Sequence, residues 1–213
     1  MQIAKERITN IIFDLGGVLL NIDYGRTRTA FEHLGVPNFS DLFSQAQQTE
    51  LFSLFETGKI TEIEFFHGVR TTAGIGCTDD EIRTAWNAML LNFPPQRLEF
   101  LQNIKTRYRT YLLSNTNATH ETAFLQIIQE ENGIQSLNDY FNSVYFSHKI
   151  GYRKPDRDSF SYVLNENNLD ANQTLFIDDS IQHVMGAKQL GIHSVHLDTS
   201  KENVIEKLCF LLA

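Results

Sequence analysis

The sequence predicts an α/β protein built on a parallel sheet covered on both faces, with a helical subdomain inserted after the first strand. Two observations predict it. Along the second half, short β-rich apolar runs alternate with helix-periodic segments, as in successive βαβ units. Between the first such run and the second lie about 70 residues with no convincing strand, far too many for a loop.

The strands are expected at Ile8 to Phe13, Thr110 to Leu113, Asn142 to Phe146, Thr174 to Ile177 and Ile192 to Leu197. Most are near-continuous apolar runs, which suits strands buried on both faces. Between them, helical stripes are expected from Ala123, Phe124, Ile127 and Ile128, from Phe160, Val163 and Leu164, and from Val184, Ala187 and Leu190. Gly191 stops the third. A last helix puts Val204, Ile205, Leu208 and Leu212 on one face. Strand and helix thus alternate from about Leu98 onward, implying right-handed crossovers.

The strandless stretch, Asp23 to Pro94, reads as several helices. Thr61-x-x-Glu64 and Thr78-x-x-Glu81 look like capping boxes. After the second, Ile82, Ala85, Trp86, Met89 and Leu90 keep helical spacing, and Pro94-Pro95 closes the segment. The division expected is a core of 1–20 and 95–213 and a helical cap of 21–94, set over the C-terminal edge of the sheet where a lid belongs.

Composition excludes several functions. Hydrophobic content is 42% and charged content 21%, the profile of a globular protein. Net charge is -8, with 26 acidic against 18 basic residues, so no nucleic-acid partner is expected. No run approaches a membrane span and no signal peptide is evident, so a cytoplasmic protein with no membrane contact is expected. Cys77 and Cys209 read as small apolar filler in a reducing compartment. A monomer is the default.

Four clusters fall at or just after strand ends: Asp14 with Gly16-Gly17, Ser114-Asn115, Arg153-Lys154-Pro155 and Asp178-Asp179. Parallel strands share one edge, so these residues can converge. Their types suit phosphoryl transfer through a covalent aspartyl-phosphate. Asp14 would be the nucleophile. Attack by an anion on an anionic phosphate needs neutralisation, which Mg²⁺ held by Asp14 and Asp179 would supply. Lys154 would add positive charge, Ser114 a hydroxyl donor, and the glycine turn backbone N–H groups. Each cluster alone has a plainer reading, as a helix cap, a turn or a basic surface loop. Adjacent carboxylates at a strand end, however, repel unless a cation is near.

With these motifs in hand, the sequence resembles the haloacid dehalogenase superfamily of hydrolases. The matching segments are Ile11-Ile12-Phe13-Asp14-Leu15-Gly16-Gly17-Val18-Leu19, Leu113-Ser114-Asn115-Thr116, Gly151-Tyr152-Arg153-Lys154-Pro155-Asp156 and Phe176-Ile177-Asp178-Asp179-Ser180, followed by Gly186-Ala187 and Leu190-Gly191. Glu56-Thr57-Gly58-Lys59-Ile60-Thr61 resembles the helical cap of a subgroup that includes a bacterial sugar-phosphate phosphatase. The resemblance implies a three-layer Rossmann-like core with an inserted α-helical cap, and Mg²⁺-dependent hydrolysis of a small phosphorylated metabolite. It implies Asp14 as nucleophile, Ser114 and Lys154 on the phosphate with Asn115, Gly16 and Gly17 beside them, and a metal shell of Asp14, the Gly16 carbonyl and Asp179 supported by Asp178.

One position departs from the family pattern. Most phosphatases of this kind carry a general-acid Asp two residues after the nucleophile; here it is Gly16. The carbonyl survives and the carboxylate does not, a loss of the order of 10²–10⁴-fold where acid–base help is needed. Asp23 is a remote substitute, more naturally a linker residue. Two other readings stay open: a metal-independent dehalogenase using the same Asp, which the Asp178-Asp179 pair opposes, and a weakly active binding or regulatory protein. Substrate-facing candidates are Tyr24, Arg26, Phe55 and Phe65-Phe66-His67, any of which can instead be cap core.

Overall fold

The computed structural model describes residues 8–36, 39, 43–44, 47–48 and 50–212, so the first seven residues and parts of 37–49 of the expected cap lie outside the description. Five parallel strands form the sheet: β1 (Asn10–Phe13), β4 (Arg109–Ser114), β5 (Ser143–Phe146), β6 (Thr174–Asp178) and β7 (His193–His196). Their order is β5-β4-β1-β6-β7. The first strand is therefore central, and the chain winds outward from it on both sides. A ligand crevice is expected at the C-terminal ends flanking such a central strand.

Each strand's two-residue period feeds two layers. Ile11 and Phe13 join Leu112, Leu175 and Ile177 in one buried cluster with Leu98, Leu101, Phe124, Ile128, Val204 and Leu208. Ile12 points the other way and joins Tyr111, Leu113, Phe176, Phe160, Val163 and Ala187. Both faces are covered, which is why the runs are apolar throughout.

Four helices are described between β1 and Pro94: α1 (Tyr24–His33), α2 (Glu50–Glu56), α3 (Glu62–Ala73) and α4 (Asp79–Asn87). Both capping boxes form as expected: Thr61 and Thr78 each accept from the backbone three residues on, and Glu64 and Glu81 return the bond. These helices share a core of their own, with Phe31, Phe52, Phe55, Phe65, Phe66, Ile82 and Trp86 all buried. The entering and leaving chains run side by side: Asn21 N–H donates to Asn92 O, Leu91 N–H to Asn21 O, and Asp23 N–H to Met89 O.

Several expectations need correction. The stretch is not free of strand: Phe43–Ser44 (β2) and Gln47–Gln48 (β3) pair antiparallel. Two-residue strands leave no periodic signal. Pro95 does not merely close the segment but occupies the first turn of a helix, α5 (Pro95–Ile104), where its missing N–H costs nothing. Cys77 is half-buried and Cys209 exposed, so Cys209 is not core filler. The helix carrying Val184 and Ala187 ends at Lys188, one turn before Gly191 adopts φ +80. The remaining helices are α6 (Ala118–Asn132), the single turn α7 (Ser147–Ile150), α8 (Arg157–Glu166), α9 (Ile181–Lys188) and α10 (Val204–Leu212). Among the described residues no helix is long and apolar enough to cross a membrane.

Candidate active site

Register brings the clusters together. Phe13 pairs with Leu112 on one side and Ile177 on the other, so Asp14, Ser114 and Asp178 emerge at one edge. Asp14 N–H donates to Ile177 O at 3.0 Å, which ties its backbone to the neighbouring strand. Asp14, Asp178 and Asp179 can each present an oxygen so that all three lie within 4.8 Å of one another.

Lys154 lies against two members of this group and is fully buried. Its Nζ donates to Asp14 Oδ1 at 2.6 Å and to Asp178 Oδ2 at 2.7 Å. Burial alone would pull the ammonium's pKa down, but the two carboxylates outweigh it and raise the value, so the lysine stays charged. The lysine backbone is held too. Asn115 Oδ1 accepts from Lys154 N–H and Asn115 Nδ2 donates to Lys154 O, both at 2.8 Å. The Asn115 amide is thus committed to the lysine main chain, a function the sequence did not separate from phosphate contact.

The three carboxylates are unequal. Asp178 is pushed up by burial, yet Lys154 and His183 more than offset this and hold it at about 2. Its Oδ1 also accepts from Ser180 N–H at 2.7 Å. Asp14 has fewer donors: burial raises it, Lys154 opposes, and nearby Asp178 raises it further. Asp179 is pushed up to about 7 by burial and then by Asp14 and Asp178. Two carboxylates held above their ordinary range, beside a third that shares the lysine with Asp14 and holds the histidine, form a group short of positive charge. That electrostatic deficit fits a cation bound among them.

The glycine turn is shaped around Asp179. Gly17 has φ +76, and a Cβ there would fall 2.2 Å from Asp179 Oδ2. At Gly16 a Cβ would meet only Ile22 Cδ1 at 3.2 Å. The room beside residue 16, where a general acid would reach, is bordered by an aliphatic side chain instead.

The same cavity is lined by Asp14, Gly16, Ser114, Asn115, Asp179 and His183 on one side and Tyr24, Glu56, Trp86 and Met89 on the other. His120 and Arg153 complete it. Of the substrate-facing candidates, Tyr24 lines the cavity. Phe55, Phe65 and Phe66 are buried in the helical core, while Arg26 and His67 are exposed. Asp23 caps α1 by accepting from Gly25 N–H at 2.8 Å and does not line the cavity. The sequence reading missed Glu56, Trp86, His120 and His183 as cavity residues. His120 stacks on Trp86 at 4.7 Å, and its Nε2 donates to Trp86 O. Burial holds it at about 4, so the ring is neutral.

Comparison with known proteins adds an independent finding. A family model described as haloacid dehalogenase-like hydrolase matches residues 8–191. D-ribitol-5-phosphate phosphatase of Bacteroides thetaiotaomicron is 29% identical over 187 residues, 88% of this chain and 90% of that protein. A HAD family enzyme from the same organism was solved as an aspartate-to-alanine mutant with magnesium and inorganic phosphate. It superposes with a TM-score of 0.86 at 32% identity, covering 92% of this chain and 96% of its own. A HAD-like hydrolase from Porphyromonas gingivalis gives 0.85 at 29% identity, over 97% and 98%.

Proposed function

The chain belongs to the haloacid dehalogenase-like hydrolases, and on that premise we propose that it is a Mg²⁺-dependent phosphatase forming an aspartyl-phosphate on Asp14. The substrate class is a small phosphorylated metabolite of the sugar-phosphate kind. The observation that carries the reading is the cluster of Asp14, Asp178 and Asp179, beside a buried lysine that touches the first two. A dehalogenase has no use for that third carboxylate.

Asp14 attacks phosphorus in line with the departing alkoxide. Lys154 holds a non-bridging phosphoryl oxygen and favours the ionised form of Asp14 against the effect of burial. The Ser114 hydroxyl and the N–H groups of the Leu15–Gly17 turn take further oxygens. Bound Mg²⁺, held by Asp14, the Gly16 carbonyl and Asp179 with Asp178 beside them, would neutralise charge that builds on the phosphoryl group. Residues 21–94 act as a cap on the core of 1–20 and 95–213. Their separate hydrophobic core and the paired linkers at Asn21–Asp23 and Met89–Asn92 support this division. A closed cap excludes water and limits the leaving group to a small one.

Three measurements test this reading. Purified protein is expected to hydrolyse an aryl phosphate with Mg²⁺ and to stop in EDTA. Metal-independent release of halide would favour a dehalogenase, and silence on every phosphate ester would sink the enzymatic reading.

Gly17→Ala is expected to weaken Mg²⁺ binding about 10- to 100-fold, because the new Cβ evicts the Asp179 carboxylate. Gly16→Ala meets only a flexible isoleucine tip and should bind Mg²⁺ almost as wild type. Titrating turnover against Mg²⁺ separates the two.

The third concerns pH. A carboxylate raised from 3.8 to about 7 on folding contributes stability below pH 4 that is lost as pH rises through 7. Metal-free protein should therefore lose stability between about pH 4 and 7 through Asp179. The rise in Tm on adding Mg²⁺ should be larger at pH 8 than at pH 5.5. Melts with Mg²⁺ and with EDTA at both values check the sign.

A further inference from the structure

We propose that Glu56 and Arg153 together read the hydroxyl groups of the substrate's leaving alcohol, making the preferred substrate a phosphate ester of a neutral polyhydroxy compound. The inference rests on the phosphatase reading above and adds the group that selects the alcohol.

Glu56 is the last residue of α2 and Arg153 directly precedes Lys154, so they approach from opposite sides of the cavity that both line. Arg153 Nη2 lies 3.0 Å from Glu56 Oε2, and both side chains are more than four-fifths buried. Asn115 clamps the backbone of the next residue, Lys154. The guanidinium is therefore anchored one residue from the ammonium that touches Asp14. A substrate whose phosphoryl group faces Asp14, its alcohol still attached, would extend that alcohol into the cavity that Glu56 and Arg153 also line.

A buried ion pair is a costly clasp, since desolvation consumes much of its attraction. Other contacts already join the helices to the core. Trp86 Nε1 donates to Asn117 Oδ1, Thr119 Oγ1 donates to Glu62 Oε1 at 2.8 Å, and Gly58 lies so close to the His148 carbonyl that a Cβ would fall 2.2 Å from its oxygen. Arg153 Nε, moreover, is buried with no hydrogen-bond partner among the described residues. A clasp alone explains neither the choice of charged groups nor a donor left over.

Charge decides the ligand class. The pair is neutral as a unit, so an anionic second group would meet Glu56 and a cationic one Arg153, each with an unfavourable partner. A hydroxyl suits both, donating to the carboxylate and accepting from the guanidinium. Adjacent hydroxyls can use both at once. Trp86, Met89 and Tyr24 line the cavity on the cap side and suit the C–H faces of such an alcohol.

The test compares kcat/KM for D-ribitol 5-phosphate, glucose 6-phosphate and glycerol 3-phosphate with that for phenyl phosphate, which has no hydroxyl on its leaving group. Wild type should favour at least one hydroxylated ester over phenyl phosphate. In Glu56→Gln and in Arg153→Gln that ratio should fall about 10- to 100-fold, mostly through KM, as expected for losing a hydrogen bond to a charged group. The double variant Glu56→Gln/Arg153→Gln leaves no unpaired charge and should show the same fall if a single variant folds poorly. A ratio unchanged in the double variant, with both substrates losing equally or neither losing, would identify a structural clasp and overturn the inference. So would a wild type that prefers phenyl phosphate to every hydroxylated ester, with the phosphatase reading left standing. Wild-type silence on all four esters would instead overturn that reading itself.

Discussion

Asp14→Asn is expected to reduce phosphate ester hydrolysis by about 10⁴-fold or more without unfolding the protein. The size follows from removing a nucleophile whose partners act as a unit with it. Retention of the fold follows from electrostatics. Burial and Asp178 raise the Asp14 pKa in spite of Lys154. A group raised on folding lends stability only below its unfolded pKa and loses it as pH climbs through the folded value. Once ionised, the carboxylate is thus a net burden on the metal-free fold, and a neutral amide of the same shape lifts it. In EDTA, Asp14→Asn should melt no lower than wild type. Turnover and melting curves on one preparation test both halves. A variant that is inactive because it is unfolded would leave the role of Asp14 undemonstrated.

Lys154→Met should damage both activity and stability. The side chain has no exposure, and its Nζ bridges Asp14 and Asp178. Removing it leaves two buried carboxylates facing each other with no cation between them. Breaking a buried pair by deleting one partner costs roughly 3–5 kcal/mol. A further loss comes in the transition state, where deleting one preorganised charged donor costs about 10²–10³ in kcat. Asp178 should also leave its low value near 2, since the lysine is the largest of the influences lowering it. The destabilisation should be greatest in EDTA and partly relieved by Mg²⁺, which would return positive charge to the same carboxylates. Lys154→Met with wild-type stability in EDTA would mean the carboxylates are less coupled than their distances indicate.

The two variants differ in sign on stability although both remove one partner of one ion pair. Asp14 has a costly charge that the lysine only partly compensates, whereas Lys154 compensates two. This is the usual relation between an active site and its scaffold: the reactive group is strained and its counter-ion is shared.

Much of this was legible in the sequence, for identifiable reasons. Strands buried on both faces leave unbroken apolar runs, so Ile11-Ile12-Phe13 and Leu175-Phe176-Ile177 announced themselves, and the parallel arrangement placed Asp14, Ser114 and Asp178 at one edge. Both capping boxes are local and were read directly from spacing. What the sequence hid depends on tertiary approach. Phe55 and Glu56 are neighbours on one helix, yet one is buried in the helical core and the other lines the cavity. Helical periodicity does not say which face meets a distant part of the chain. Trp86 was recognisable as a core residue, but its stacking on His120 joins segments more than thirty residues apart. Asn115 stands beside Ser114 in a motif that suggests phosphate contact, and only the reciprocal bonds to the Lys154 backbone reveal the support it gives. The glycines behave likewise. Gly16 and Gly17 look equivalent in sequence, but one borders Ile22 and the other leaves room only for Asp179.

The missing carboxylate at residue 16 sharpens the chemical question. Ile22 beside Gly16 offers no proton, and Asp23 is engaged as a helix cap.

The central claim is that the phosphoryl group passes through Asp14. Acid quenching of the Mg²⁺-loaded enzyme during turnover of a radiolabelled phosphate ester, followed by proteolysis and mass spectrometry, tests it most directly. The account predicts label retained on the peptide containing Asp14 in wild type and none in Asp14→Asn. Active wild type that carries label on another residue would contradict it.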